Sequence, residues 1–576
     1  MILITSGTYV GQEIASELGL LPPAFLPAGN RRLFELQAEL LREAGEDLCL
    51  SLPEDFDLCE HDRRLLERAE VTVIRVPAGL SLGESVRHVL CCMLPLSGPL
   101  RILHGDTLIW DIPFALRDVV SVGRTDAFYS WAEAQPSEDG GVRIVEGMPG
   151  GEFRREVLSG YFCFSDPYAF VEALTRSRGR FIDALNLYAA NRRLLPVNTG
   201  SWLDFGHLQT YYRSKAALTT EREFNSLEVS RRTVCKSGRK PEKIRAEGRW
   251  YARAPEGLRL YLPSLLGMED SGAACAYRLE YLYFSTLSEL YVFGRLPLFM
   301  WETIFHSCGE FLALCRETLS PEERIRPEDL PDLYLGKTLA RLEDFARQRE
   351  VDLGREWRYA GRPTPSLERL ARLASEAVPR LTEQDLAILH GDFCFSNILY
   401  DFRHATIKTI DPRGLATGGA ARMAGDRRYD VAKLYHSVKG KYDFIKADRY
   451  VLGRDGERGL TLEFPAEEYT RRIDDLFTGM RLGGDMCDQR TILAVVVHLF
   501  LSMLPLHADR PDHQDAMLAN ALRLFLELEN GAGVRGPVRC LRGGGRLAAA
   551  TVGETPALAQ GASWEAAPTT ASHRGE

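Results

Sequence analysis

No two of the twelve cysteines stand in a C-x-x-C spacing. They are scattered, with one adjacent pair at Cys91-Cys92, which argues against a zinc site or disulfide framework and for reduced thiols in a cytoplasm. No charged-then-apolar leader opens the chain, and no apolar run approaches the roughly 18 residues of a membrane span. The expectation is a soluble, cytoplasmic protein without stable membrane insertion. A basic excess is also missing. At a formal net charge of −9, nothing draws the whole chain to nucleic acid or to an anionic membrane. No repeat at solenoid spacing is present. What is there is an ordinary globular composition, 45% apolar and 26% charged over 576 residues. At about 150 residues per domain that length is too great for one core and suits two to four units.

The stretch 390–414, HGDFCFSNILYDFRHATIKTIDPRG, is the most informative. An apolar lead-in, Leu-Ala-Ile-Leu over 386–389, reads as a short buried strand delivering His390 and Asp392 onto a loop. Residues 398–400 and 407–410 alternate like the two strands of a hairpin turning over 401–405. That hairpin returns Asp411 to the side of Asn397. Phosphoryl transfer needs such a set: a carboxylate to accept the substrate hydroxyl proton, and hard oxygens to hold magnesium on the phosphates. HGD-x4-N followed by I-D-P-R resembles the catalytic loop and metal aspartate of the aminoglycoside phosphotransferase/choline kinase family, whose fold is protein-kinase-like. The resemblance implies Asp392 as catalytic base, His390 beside it as a brace for the loop, and Asn397 and Asp411 as magnesium ligands.

The first 220 residues alternate strand and helix. Residues 1–5, 71–76 and 100–103 are strand candidates, and Ser81 with Glu84 fits a capping box. Such alternation predicts a mostly parallel sheet with helices on both faces, binding its ligand beyond the carboxyl ends of the strands, where Asp106 sits. The segments LPPAFLPAGNRRL (21–33), GDTLI (105–109), SGYFCF (159–164) and GSWLDFG (200–206) resemble, in order, those of sugar-phosphate nucleotidyltransferases. By that resemblance Asp106 and Asp204 jointly hold the magnesium that bridges nucleotide phosphates. The departures are basic residues. The opening loop 6–12 (SGTYVGQ) carries none, the family's Pro-Lys pair is Pro23-Ala24, and no lysine precedes Ser159. Those groups stabilise charge on the transferred phosphate, so slow transfer is expected unless Arg31, Arg154 or Arg155 takes over.

Residues 216–226 lack apolar periodicity and read as a linker. Beyond them 233–238 reads as a strand and 244–251 as a helix. In the kinase resemblance Lys236 is the lysine that reaches ATP phosphates and Glu247 the glutamate that orients it. No G-x-G-x-x-G covers this lobe. The segment 277–281, containing Glu280, looks like the crossing strand whose backbone meets adenine. Helical periodicity follows, with Asp426 as an N-cap in a G-D-x-x-Y-D-x-A stretch whose role looks structural, and with a last helix stopping at Asn530-Gly531. From 531 the chain turns Gly-, Ala- and Pro-rich, and reads as a disordered tail.

The sequence therefore predicts an α/β Rossmann-like nucleotidyltransferase fold over 1–220, joined to an α+β protein-kinase-like domain over 227–530. The expected function is phosphorylation of a small alcohol or sugar by ATP and magnesium. A second nucleoside triphosphate would serve nucleotidyl transfer, towards an activated precursor for capsule or envelope polysaccharide. Two alternatives stand beside it: a kinase whose front domain only binds a nucleotide or sugar phosphate, and a non-catalytic scaffold. The phosphate acceptor, the nucleotide base and the oligomeric state are not legible in the sequence.

Overall fold

Strand Ile2–Thr5 is the hub of the N-terminal sheet, and its burial explains why. Ile2, Leu3 and Ile4 are all fully buried, as a strand covered on both faces requires. Ile2 and Ile4 join a core with Leu33 and Phe34. Leu3 joins another with Val86, Val89 and Phe170. The computed structural model describes residues 1–532 apart from 138–139, 148–154, 201, 219–224, 239, 322, 324, 331, 414–422, 466 and 481–487. Within it Met1–Gly531 forms one unit.

The nine-stranded sheet is parallel throughout on one side and mixed on the other, where Leu195–Asn198 runs parallel to Val119–Thr125. Ile2–Thr5, Leu48–Pro53, Val71–Val76 and Leu100–His104 run parallel. On the other side Arg155–Phe164 pairs antiparallel with Leu100–His104 and Val119–Thr125, and Ala132–Pro136 pairs antiparallel with Val142–Glu146. The mostly parallel sheet expected from the sequence is corrected here, for a physical reason. Among the described residues no helix lies between Leu100–His104 and Arg155–Phe164, and parallel neighbours need such a crossover. Helix Leu82–Cys92 starts at the expected capping box, Ser81 with Glu84.

The C-terminal part opens with a four-stranded antiparallel sheet. Asn225–Val229, Thr233–Gly238, Cys275–Glu280 and Leu265–Asp270 lie in that order, and helix Pro241–Arg253 packs on it. A helical region follows, built on Leu298–Glu317, Leu335–Arg349, Leu367–Glu376, Arg427–Val438, Gln489–Met503 and Pro511–Ala532. Into it are set the hairpin Ile398–Asp401/Thr406–Thr409 and the short pairing of Leu386–Ile388 with Ala424–Asp426. The α/β followed by α+β order is thus what the sequence predicts.

Three readings of the sequence are adjusted. The proposed linker is shorter, because helix Leu208–Ala217 and strand Asn225–Val229 take its ends. The last helix runs through Asn530-Gly531 to Ala532, while the expected disordered tail beyond it lies outside the described residues. One helical segment, Gln489–His507, does have the length and mean hydropathy (1.6) of a membrane span, although 72% of that window is buried inside the protein.

The two parts are joined by buried charge. Arg32 donates to the carbonyls of Phe25 and Phe293 at 2.8 Å each. Asp62 lies 3.4 Å from Arg32 and 2.7 Å from Arg449. Beside them the Arg295 amide donates to the Leu18 carbonyl at 2.8 Å. Gly19 has φ +83, and a Cβ there would collide with the Arg295 backbone, so this approach requires glycine.

Candidate active site

The loop 390–397 is hung from the helix behind it. The His390 and Gly391 amides donate to the two Asp430 oxygens at 2.7 and 2.9 Å. Asp430 lies in the first turn of Arg427–Val438, which Asp426 caps by accepting from the Arg428 amide. The structural role expected of the G-D-x-x-Y-D-x-A stretch is therefore visible as two hydrogen bonds. From the other side Trp250 Nε1 donates to the Leu389 carbonyl at 2.9 Å. His390 is fully buried, and its Nδ1 accepts the Asp392 amide at 3.3 Å. Burial pushes its pKa down to about 4, which leaves the ring neutral at pH 7.

The hairpin register then assembles the rest. Ile398 faces Thr409, and the Ile410 amide donates to the Asn397 carbonyl at 2.9 Å. Asp411 follows with φ +59, its amide donating to Tyr251 Oη at 3.1 Å. Asn397 Nδ2 donates to the Asp392 carbonyl at 2.9 Å. The loop thus takes the amide nitrogen of Asn397, while Oδ1 is the atom a hard cation would bind.

Lys236, on the middle strand Thr233–Gly238, reaches across to this hairpin. Its Nζ lies 2.8 Å from Glu247 Oε2 and 2.9 Å from Asp411 Oδ1. Tyr277 Oη donates to the same Glu247 oxygen at 3.0 Å. Burial works against the Lys236 ammonium, but Asp411 and Glu247 outweigh it and its pKa ends above the ordinary value. The structure thus brings together five residues expected from the sequence: Lys236, Glu247, Asp392, Asn397 and Asp411. Glu280 stands apart. Its amide donates to the Ser264 carbonyl at 3.0 Å and its carboxylate accepts from Ser264 Oγ at 2.9 Å, so its side chain is engaged at the exposed strand end.

Asp392 itself is clamped. Oδ1 lies 2.8 Å from Lys433 Nζ, and Oδ2 accepts from Arg413 at 2.8 Å. Burial would raise its pKa, but Arg413 and Lys433 outweigh it and hold the carboxyl well below the usual range. Neither cation was assigned a role in the sequence. Lys433 had one legible sign, its place three residues after Asp430, where two side chains share a helix face.

The second site lies at the end of the N-terminal sheet. Asp106 follows Leu100–His104, and Gln37, fully buried, donates to the carbonyls of His104 and Thr107 on either side of it. Strand Trp202–Asp204 pairs antiparallel with Thr107–Ile109, placing Asp204 opposite Thr107. The two carboxylates therefore meet. A Cβ on Gly206 would collide with Asp106 Oδ2 and lie 3.3 Å from Asp204 Oδ1, so a larger residue here would crowd both carboxylates. Burial, then the Asp204 charge, raises the Asp106 pKa to about 6. A divalent cation fits such a cradle, since it would relieve that repulsion.

Asp204 Oδ2 is also held by His207 Nδ1 at 2.9 Å and by Thr210 Oγ1. The two carboxylates line a cleft of about 490 Å³ with His104, Trp131, Phe181 and Trp202. Among the described residues one arginine, Arg180, lines it, and it is paired with Asp183 at 2.6 Å. Arg31, offered as a substitute for the missing basic groups, is instead bound to Glu39 at 2.6 and 2.8 Å. Arg154 lies outside the described residues. Arg155 begins the strand Arg155–Phe164.

No family model matches the chain, and no curated protein does. Solved structures give distant likenesses. A putative glucose-1-phosphate thymidylyltransferase from Bacillus anthracis is 13% identical, covering 38% of this chain and 94% of its own, with a TM-score of 0.30. HddC from Yersinia pseudotuberculosis is 15% identical over 38% of this chain and 99% of its own, with a TM-score of 0.29. A thermostable mutant of aminoglycoside phosphotransferase APH(4)-Ia is 16% identical over 55% of this chain and 94% of its own, with a TM-score of 0.31. None of these likenesses assigns an activity to this chain.

Proposed function

We propose that residues 227–530 are an ATP-dependent phosphotransferase acting on the hydroxyl of a small molecule. The supporting observation is the linked set of Lys236 with Glu247 and Asp411, facing the loop that carries Asp392, which Asp430 holds through the His390 and Gly391 amides. In this reading Lys236 binds ATP phosphates, Asp392 orients the acceptor hydroxyl and takes its proton, and Asn397 and Asp411 would hold magnesium. The metal would supply charge neutralisation at the transferred phosphate. The chain's own work is positioning, which strand and hairpin registers provide. A screen of small alcohols and sugars for ATP-dependent phosphorylation, followed by each nucleoside triphosphate added to any hit, tests it. No phosphorylated product from any acceptor would end the kinase reading.

The metal assignment has its own expected result. Asp411→Ala should weaken magnesium-ATP binding more than Asn397→Ala does, because a carboxylate offers the cation charge as well as an oxygen. Equal calorimetric affinities in the two variants and the parent chain would refute it.

For residues 1–220 the reading is a nucleotidyltransferase-like domain in which Asp106 and Asp204 would hold magnesium under a second nucleoside triphosphate. The Gly206 cradle supports this. Paired with a kinase, such a domain would convert a freshly phosphorylated alcohol or sugar to a nucleotide derivative, the form that glycan assembly for a capsule or envelope consumes. A binding-only front domain is the second reading, favoured by the pairing of Arg180 with Asp183 and of Arg31 with Glu39. Asp106→Ala should abolish magnesium-dependent triphosphate binding at this site. Unchanged binding in the full chain carrying both Asp106→Ala and Asp411→Ala would remove both metal assignments.

A further inference from the structure

Asp392 shares its surroundings with three cations. Arg413 and Lys433 grip its two oxygens. Tyr429, one turn before Lys433 on the same helix, accepts from Lys337 Nζ at 3.2 Å. The Lys337 ammonium also lies 5.4 Å from the Tyr429 ring centroid. Burial would raise the Tyr429 phenol, yet Lys433, Lys337 and Arg413 bring its pKa below the ordinary value. Three carboxylates of this region are engaged: Asp430 by the loop amides, Asp426 by Arg428, Asp411 by Lys236. A cationic alcohol entering here would meet like charge, which is repulsive and poorly screened at part-buried sites.

We propose that the phosphoryl acceptor of this site is itself an anion, an alcohol bearing a carboxylate or a phosphate, whose negative group engages Arg413 and Lys337. This rests on the kinase reading above. Of the two cations on Asp392, Arg413 has a side chain 52% exposed and Lys433 one 8% exposed, so Arg413 is the one able to swing away. Its departure to the incoming anion frees Asp392 Oδ2. In the transfer, the acceptor oxygen forms the new bond to the γ-phosphorus as the bond from that phosphorus to the β–γ bridging oxygen breaks. ADP leaves with the electron pair, and the hydroxyl proton passes to Asp392. The clamp thereby ties the freeing of Asp392 to the charge of the correct acceptor. A guanidinium suits the task, since it binds carboxylate or phosphate through two parallel hydrogen bonds.

The test uses the full chain with magnesium-ATP and matched acceptors: glycerol against glycerate, glucose against glucuronate and glucose 6-phosphate, and choline as a cation. Anionic members should exceed their neutral partners in kcat/KM by about tenfold or more, one charge-assisted hydrogen bond's contribution. Whether carboxylate or phosphate does better identifies the acidic group. Lys337→Met should raise KM for the preferred anion about tenfold while kcat changes far less, and Lys337→Arg should restore it. Equal or better use of glycerol, glucose or choline overturns the proposal and leaves the kinase reading standing. Calorimetry with the same pairs on the chain saturated with magnesium and a non-hydrolysable ATP analogue separates the two readings further. Anion binding that weakens in Lys337→Met, together with no transfer from ATP to any acceptor in the assays, supports the cationic acceptor pocket and removes the kinase reading. No preference for anions in binding overturns the proposal.

Discussion

Asp392→Asn is expected to lower phosphoryl transfer by about 10²–10⁴-fold, the range for a lost proton acceptor. Asparagine keeps the shape and leaves Lys236, Glu247 and Asp411 untouched, so magnesium-ATP affinity should change little. Stability should change, contrary to what an isosteric swap suggests from sequence. Asp392 is the carboxylate between Lys433 and Arg413, and its loss leaves the buried Lys433 ammonium without a counter-charge. A lowered thermal midpoint worth about 2 kcal/mol is expected, in line with losing charged hydrogen bonds. Steady-state assays beside thermal melts separate the two effects. Near-normal turnover in the folded variant would sink the catalytic role, and an unchanged midpoint would sink the clamp.

The second large effect is expected at the buried charges that join the two parts. Asp62→Asn should destabilise the chain by about 3–5 kcal/mol, because breaking a buried ion pair strands its partners. Here two partners are stranded, Arg32 at 0% and Arg449 at 1% exposure. The pH dependence has a definite sign. Burial alone would raise the Asp62 carboxyl, but Arg449 and Arg32 drive its folded pKa well below the ordinary value. Its contribution is therefore full above the unfolded carboxylate pKa of about 3.9 and lost as pH falls towards the folded value. Denaturant titrations at neutral pH should show the full difference between parent and variant, and the gap should narrow in acid below about pH 4. Equal midpoints at neutral pH would mean that the arginines find other partners.

The short-range parts of the candidate site were legible because their signals are short-range. The lead-in strand, the turn over 401–405 and the capping residues Ser81 and Asp426 are set by side chains within a few positions of one another. The register that places Asp411 by Asn397 follows from the hairpin turn itself. Glu280 was less legible, since its side chain engages Ser264, 16 residues away. The mostly parallel sheet fails past Leu100–His104, because among the described residues no helix intervenes before Arg155–Phe164 to return the chain in the same direction.

By itself the sequence determined the chemistry on offer: an acid, an amide and a second acid on one loop and the hairpin after it, and two aspartates at strand ends. Only the tertiary structure decided what surrounds them. Lys236 meets Asp411 across 175 positions, and Asp62 meets Arg449 across 387. Contacts closed over such distances leave no periodicity in the chain, because their free energy comes from burial and charge pairing after the loops have closed. The clamp of Arg413 and Lys433 on Asp392 belongs to the same class. One member comes from the strand end and the other from a helix, and their meeting depends on how that helix packs beneath the loop.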